Sequence, residues 1–143
     1  LESRSLTYLS RCVCLETLDL SMVSVPANTI MSIGGKQLRH LYLSATEPEQ
    51  RIELSTEDVK TIVAMENLKE LSIYGQPGFP ISELAQLRRC KQLKVLYIDL
   101  GDVSEADLEM AKRDLAEWLP NCEVLLERFT IQRRRMNRSR TFI

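Results

Sequence analysis

A six-residue pattern, Leu-x-x-Leu-x-Leu, occurs four times in this sequence and constrains its fold more than any other feature. The copies begin at Leu15, Leu38, Leu68 and Leu93, and Ile takes the last position in the third and fourth copies. Their starts are 23, 30 and 25 residues apart. A unit of this length cannot bury its own apolar face, so successive copies are expected to stack and form one continuous core.

Apolar residues spaced three apart precede the copies and predict a short helix that runs into each strand. Three flanking series share this spacing: Leu6, Leu9, Cys12 and Leu15; Val59, Ile62, Met65 and Leu68; and Leu84, Leu87, Cys90 and Leu93. Before the second copy, Ile30 and Ile33 are shifted by one position from this spacing, and the Gly34-Gly35 pair can accommodate the shift.

Serine residues indicate where the helices begin. Ser55 and Ser104 each precede an Asp by three positions, which is the capping-box pattern. In a capping box the Ser oxygen accepts a backbone N–H, and the acid is favoured by the positive end of the helix. Ser82 is the expected cap of a helix over residues 83–90.

The repeats are predicted to end with one longer helix and a closing strand. The helix spans Glu105–Trp118 and ends before Pro120. The strand spans Cys122–Phe129, and its register stays open. Alternate positions from Cys122 to Leu126 are apolar, whereas Leu125 better fits the step of the repeats.

These copies resemble the leucine-rich-repeat family, in the helix-bearing branch that includes ribonuclease-inhibitor-like and F-box-associated repeats. The resemblance covers residues 6–126. It implies an α/β solenoid of about four to five repeats, with a parallel β-sheet on the concave side and helices on the convex side. Two departures are the insertion from Ala45 to Leu54 and the loss of the Asn that often follows the third Leu, for example to Met22.

The chain is expected to contain one leucine-rich-repeat domain and a tail. The domain spans residues 1–131, with a C-terminal cap at about residues 105–131, and residues 132–143 form a basic tail that is expected to be mobile. The chain is interpreted as the C-terminal part of a longer protein. Its longest uncharged run, Leu20 to Gly35, has 16 residues and is too short and interrupted to cross a bilayer.

The residues between the leucines are predicted to face away from the core and to be exposed on the concave surface. Three of the four tyrosines fall on this face, where rigid amphipathic rings are favoured in interfaces, although Tyr also suits any half-exposed strand. His40 is interpreted as a hydrogen-bonding surface residue. The candidate partner-binding residues are Asp19, His40, Tyr42, Glu70, Tyr74, Tyr97 and Asp99.

The loop after the third copy is a second candidate surface. It contains Phe79 between Gly and Pro residues. Phe79 either faces a partner or packs under the repeats as a plug, and the plug is favoured because an exposed Phe needs a reason. The charged segment of the insertion, residues 46–51, is expected to be solvated.

Charge is distributed unevenly along the chain. The formal net charge is -1, but all 20 acidic residues lie at or before Glu127. Residues 1–132 hold 14 basic and 20 acidic residues, a balance of -6, and the tail adds +5. The tail is interpreted as a nuclear-import or nucleic-acid-contacting segment, a kinase site at Ser139, or a solvated linker. Its arginines are Arg133, Arg134, Arg135, Arg138 and Arg140.

The sequence contains no motif typical of an enzyme, and no catalytic residue, metal or cofactor is predicted. Phosphate-binding glycine patterns are absent, and the single His has no neighbouring nucleophile. The C-x-C spacing of Cys12 and Cys14 is not that of a zinc site. Cys12 and Cys90 share a repeat position and are predicted to be buried free thiols. This favours an intracellular compartment, cytoplasmic or nuclear.

The sequence therefore predicts a non-enzymatic protein–protein interaction module that binds a protein or peptide on the concave sheet or the loop edge. The resemblance implies, as a more specific role, substrate recognition in a ubiquitin-ligase adaptor. The alternative is a nucleic-acid-associated or nuclear factor that uses the Arg-rich tail. A third interpretation makes the chain the cap of a longer solenoid. No membrane partner is expected, and the oligomeric state stays open.

Overall fold

The computed structural model describes residues 6, 8–45, 52–76 and 79–128, and of Arg128 the backbone alone. Within these ranges the chain forms an α/β structure with one parallel sheet of five strands. Each strand pairs with its neighbours in sequence, so the sheet is open and its first and last strands are edges. The strands are β1 (Thr17–Asp19), β2 (His40–Tyr42), β3 (Glu70–Ile73), β4 (Val95–Leu100) and β5 (Glu123–Arg128).

The central leucines of the four copies form one row across the sheet, and β5 continues this row with a valine. All four leucines are buried, because alternate side chains of a strand point to opposite faces and this face packs on the helical segments. The predicted single parallel ladder is confirmed. The row consists of Leu18, Leu41, Leu71, Leu96 and Val124.

The described helical segments are η1 (Tyr8–Arg11) and η2 (Ile81–Arg89), which are 3-10 helices, and α1 (Thr29–Ile33), α2 (Thr56–Val63) and α3 (Glu105–Trp118). The helix predicted over residues 83–90 is present as η2. Its three residues per turn match the spacing of the buried Leu84 and Leu87. The predicted cap is wrong, because Pro80 occupies the N-cap and Ser82 lies inside the helix.

The other two predicted helix starts are confirmed. Ser55 begins α2 with a complete capping box, in which its Oγ accepts the N–H of Asp58 at 3.1 Å and Asp58 Oδ2 accepts the N–H of Ser55 at 3.0 Å. Ser104 begins α3, and its Oγ accepts the N–H of Asp107 at 3.1 Å. Helix α3 covers the predicted range, Glu105–Trp118.

The fully buried carboxylate of Asp58 also joins α2 to α1. Its Oδ2 accepts the N–H of Asn28 and its Oδ1 accepts the N–H of Met31, each at 2.8 Å. The hydroxyl of Ser55 donates to the same carboxylate at 3.0 Å. The first N–H groups of a helix have no partner within the helix, so one side chain satisfies such donors at the starts of two neighbouring helices.

The buried apolar side chains form one core between the sheet and the helical segments. Phe79 belongs to this core: it is 1% exposed, and its backbone forms a parallel bridge with Leu100 of β4. The predicted plug is confirmed, so Phe79 is not part of a binding surface. Trp118, at the end of α3, is half-buried against the same core.

The structure settles two further points about the ends of the sheet. Strand β5 begins at Glu123, and its pairing directs Leu126 to the core while Leu125 is 41% exposed. The alternation therefore determines the register. Cys12 is exposed, contrary to prediction, because η1, which precedes it, contributes no buried residue. Cys90 is buried as predicted.

Several predictions lie outside the described residues. These are the solvated segment of the insertion at residues 46–51, the end of the closing strand at Phe129, and the mobile basic tail at residues 132–143 with its five arginines. They stay predictions.

Candidate binding face of the sheet

We call the side of the sheet that points away from the core the open face. Its side chains lie in three rows, and the pairing of β1 to β4 aligns the first two rows. Strand β5 adds three residues that the sequence did not place, because its register was open. The rows are Thr17, His40, Glu70, Val95 and Glu123; Asp19, Tyr42, Ser72, Tyr97 and Leu125; and Ser21, Ser44, Tyr74, Asp99 and Glu127.

Three of the predicted residues, His40, Tyr42 and Glu70, lie together in the structure. The hydroxyl of Tyr42 donates to Glu70 Oε2, and His40 Nδ1 lies 3.5 Å from the same oxygen without forming a hydrogen bond. The rings of His40 and Tyr42 stack with centroids 6.4 Å apart. The hydrogen bond to Glu70 is the largest cause that raises the pKa of Tyr42 to about 12. This tyrosine is therefore a neutral hydrogen-bond donor and not a base near neutral pH.

A second pair with the same geometry lies two strands further along the sheet. The hydroxyl of Tyr97 donates to Glu123 Oε1 at 3.0 Å, and this hydrogen bond raises the pKa of Tyr97. In both pairs the Tyr bonds to a Glu that lies on the next strand, two residues before the position aligned with the Tyr. We call these two sets the Tyr–Glu pairs. Sequence reasoning found Tyr97 but missed Glu123.

Asp99 was predicted to be exposed, and this prediction is wrong. Its side chain is 1% exposed, and Oδ2 accepts the N–H of Gly75 at 2.7 Å. Burial raises the pKa of Asp99 to about 6, the hydrogen bond from Gly75 opposes this, and the charge of Glu127 adds to the increase. Asp99 therefore fixes the turn after β3 and is not available to a partner.

Gly75 makes this turn possible. Its φ is +76°, and a Cβ built there would lie 1.8 Å from the carbonyl oxygen of Ala45. Only glycine allows the two backbones to approach this closely. The turn after β3 therefore lies against the chain that follows β2, and Asp99 of β4 is bonded to it.

The remaining predicted residues are Asp19, which shares a row with Tyr42 and Tyr97, and Tyr74, which directly follows β3. Asp19 is exposed, and its Oδ1 accepts the N–H of Ser21 at 2.9 Å. Tyr74 is half-buried. The N–H of Ser44 donates to the hydroxyl of Ser21 at 3.1 Å, and the hydroxyls of Ser44 and Ser72 are 2.7 Å apart, so a line of polar groups runs from Asp19 to Ser72. Apart from Asp99, every candidate residue on the open face is exposed or half-buried.

The open face is acidic. Among its described positions there is no Lys or Arg, whereas acidic residues occupy positions on β1, β3, β4 and β5. Cations occur one position before the first row, at the amino rim, where Arg39 lies 3.7 Å from Glu16 and is followed on the next strands by Lys69 and Lys94. The rows themselves therefore favour a cationic or hydrogen-bonding partner.

No other chemistry is concentrated in the part of the chain that the structure describes. It contains no group of three or more His, Cys, Asp or Glu residues arranged to hold a metal ion. The four cysteines are free. Burial raises the pKa of Cys90 and of Cys122 to about 11, so both are protonated at neutral pH and are poor nucleophiles.

A cleft of about 340 Å³ lies on the other side of the core, between η2 and α3. It is lined by Leu84, Ala85, Met110 and Trp118, with Asp107 and Asp114 among the polar residues. None of the residues predicted from the sequence to bind a partner lies here.

No protein-family model, curated protein or solved structure matches this chain. Among the described residues, the helices are too short or too polar to span a membrane.

Proposed function

We propose that this chain is a leucine-rich-repeat interaction module that binds a protein or peptide on its open face, which would be the concave face of the solenoid. The observation that supports this most directly is the repeated Tyr–Glu pair on an otherwise polar sheet surface. Each pair holds an aromatic ring in place, and a ring that is fixed before binding loses little entropy when it contacts a partner.

The surrounding residues support binding and not catalysis. The pKa values of Tyr42 and Tyr97 are raised, and so are those of the thiols Cys90 and Cys122, so none of these four side chains is an activated nucleophile at neutral pH. The residues around Glu70 donate and accept hydrogen bonds on the face of the sheet. In the more specific form of this proposal, the partner is a substrate protein of a ubiquitin ligase, and the chain is its recognition part in the cytoplasm or nucleus.

The test compares proteins captured from a cell lysate by the immobilised full chain and by the double variant Tyr42→Ala/Tyr97→Ala. Interface tyrosines are frequent hot spots, so we expect the variant to lose the specific partner by at least about tenfold. Thermal unfolding of both chains verifies that the variant is folded.

A matched control keeps the experiment specific. Tyr8 is 65% exposed and lies in η1, away from the open face, so Tyr8→Ala removes an exposed ring without touching either pair. It is expected to capture the partner as the wild type does. Equal capture by the Tyr42→Ala/Tyr97→Ala variant and by the wild type would refute the proposed function.

A further inference from the structure

The described positions of the open face include several acidic residues and no Lys or Arg. Glu70 and Glu123 each accept a Tyr hydroxyl through one oxygen, and Asp19 accepts one backbone N–H through Oδ1. Their second oxygens receive no hydrogen bond from any described residue. A guanidinium group can bind such an oxygen through its N–H donors and stack on the neighbouring ring.

The same chain contains a segment with the complementary charge. Residues 133–140 include five arginines and no acidic residue, whereas residues 1–132 have a balance of -6. The described part of the chain already contains an Arg–Tyr contact of the required kind, because the guanidinium of Arg11 lies 5.7 Å from the ring centroid of Tyr8. Tyr42 and Tyr97 present similar rings next to carboxylates.

The segment has only a short distance in sequence to the open face. It follows β5, the last strand among the described residues, which itself contributes Glu123 and Glu127 to the face. Strands lie about 4.8 Å apart, so crossing five of them takes about 19 Å. Eight extended residues span about 26 Å, and the four residues 129–132 add about 13 Å for the turn.

We propose that the arginines of residues 133–140 dock on the open face of the same chain, against Glu70, Glu123 and the adjacent tyrosines. The segment enters from the carboxyl ends of the strands, because the cations Lys69 and Lys94 at the amino rim repel it. This inference rests on the proposed function only in assigning the same face. It implies that a partner has to displace the tail.

The experiment measures binding of a synthetic peptide with the sequence of residues 132–143 to two full-length chains. One is the wild type, and the other carries Arg→Gln at positions 133, 134, 135, 138 and 140. A tethered segment competes at an effective concentration of about 1 mM, so for a peptide with a Kd of about 0.1 mM the wild type is expected to bind about tenfold more weakly than the Arg→Gln chain. The difference is expected to shrink at high salt.

Two further variants in the Arg→Gln chain locate the site. Glu70→Gln/Glu123→Gln removes two charges from the open face and is expected to weaken peptide binding at least fivefold, or about 1 kcal/mol. Asp107→Asn/Asp114→Asn removes two charges from α3 and is the matched control, expected to leave the affinity unchanged. An equal loss in both variants would show only non-specific attraction and would overturn the proposal.

Other outcomes also decide the question. If the peptide binds the wild type and the Arg→Gln chain equally, or binds neither, the tail does not occupy the face and the proposal is wrong. If the wild type dimerises and the Arg→Gln chain does not, the tail occupies a second copy and not its own chain, which also contradicts the proposal. Equal binding of an oligonucleotide by the wild type and by a Glu70→Gln/Glu123→Gln chain that keeps its five tail arginines would show that the tail is free for nucleic acid, which also contradicts the proposal.

These outcomes are separable from those of the proposed function. If the peptide experiment fails while Tyr42→Ala/Tyr97→Ala still loses its partner, the interaction module stands and only the docking of the tail is refuted.

Discussion

The helical segments of this protein are joined in two different ways. Between α1 and α2 the junction is polar, because the buried carboxylate of Asp58 accepts backbone N–H groups from Asn28 and Met31 as well as from Ser55. Between η2 and α3 the junction is mainly apolar, and it leaves the cleft of about 340 Å³. Helical segments on the same core can therefore be joined by specific hydrogen bonds, as between α1 and α2, or by apolar contacts that leave a cleft, as between η2 and α3.

The two junctions should respond differently to substitution. Hydrogen bonds are directional, and buried donors that lose their acceptor pay the full cost of desolvation. Apolar contacts beside a cleft have space to rearrange, and an added side chain can occupy that space. A single substitution in the polar junction is therefore expected to destabilise the protein strongly, whereas a larger apolar residue in the apolar junction is expected to stabilise it.

The largest expected effect is at the polar junction. Asp58→Ala removes the acceptor of several buried donors, and we expect it to lower the free energy of unfolding by about 4 kcal/mol. Urea denaturation measures this value. Asp114→Ala at the cleft is the matched control, with an expected change below about 0.5 kcal/mol. Equal losses from the two variants would remove the distinction between the junctions.

An intermediate effect is expected at Asp99, a buried carboxylate that accepts the backbone N–H of Gly75. Its pKa is raised from 3.8 to about 6, so the folded chain binds more protons than the unfolded chain between these values. The contribution of this group to stability therefore decreases as the pH rises through that window, and the loss is complete above about pH 6.

Asp99→Asn keeps an acceptor for Gly75 and does not titrate. The free energy of unfolding of this variant, relative to the wild type, is expected to increase by about 2 kcal/mol between pH 4 and pH 7. Urea denaturation at several pH values checks this. A difference that is constant over this range would show that Asp99 does not have a raised pKa.

The smallest effect is expected at the apolar junction. Ala85→Leu extends an apolar side chain into the cleft, and we expect it to stabilise the protein by about 0.5 kcal/mol. Thermal unfolding detects such a change when it is compared with Gln86→Leu, which adds a similar side chain at an exposed position of η2. Destabilisation by Ala85→Leu would show that the cleft does not accept additional volume.

The sequence predicted the parts of the fold that depend on local periodicity. The spacing of Leu18, Leu41, Leu71 and Leu96 within their copies was sufficient to predict the aligned row, because alternation alone determines which side chains point inward. Helix α3 and the cap at Ser55 were also predictable, since capping depends on residues three positions apart.

The parts that failed depend on contacts between residues distant in sequence. Asp99 occupies a row that is otherwise accessible, and only the return of the chain at Gly75, 24 residues earlier, buries it. Asp58 was recognised as a capping residue, but its bonds to α1 span 27 and 30 residues. Of the second Tyr–Glu pair, the sequence predicted Tyr97 but not Glu123, because Glu123 is placed on the open face only once the register of β5 is known.

The paired strands lie at the same height in the sheet, without a shift from one strand to the next. Residues 71–95 form one full period, since Leu71 and Leu96 are partners at the same height in the sheet. A duplicate of this period, spliced in after Val95, would repeat this strand register, and it would bring a second copy of η2 into the place where η2 now packs against α3. A longer sheet would therefore need helical segments that fit one another, because the strand register alone does not limit the number of strands.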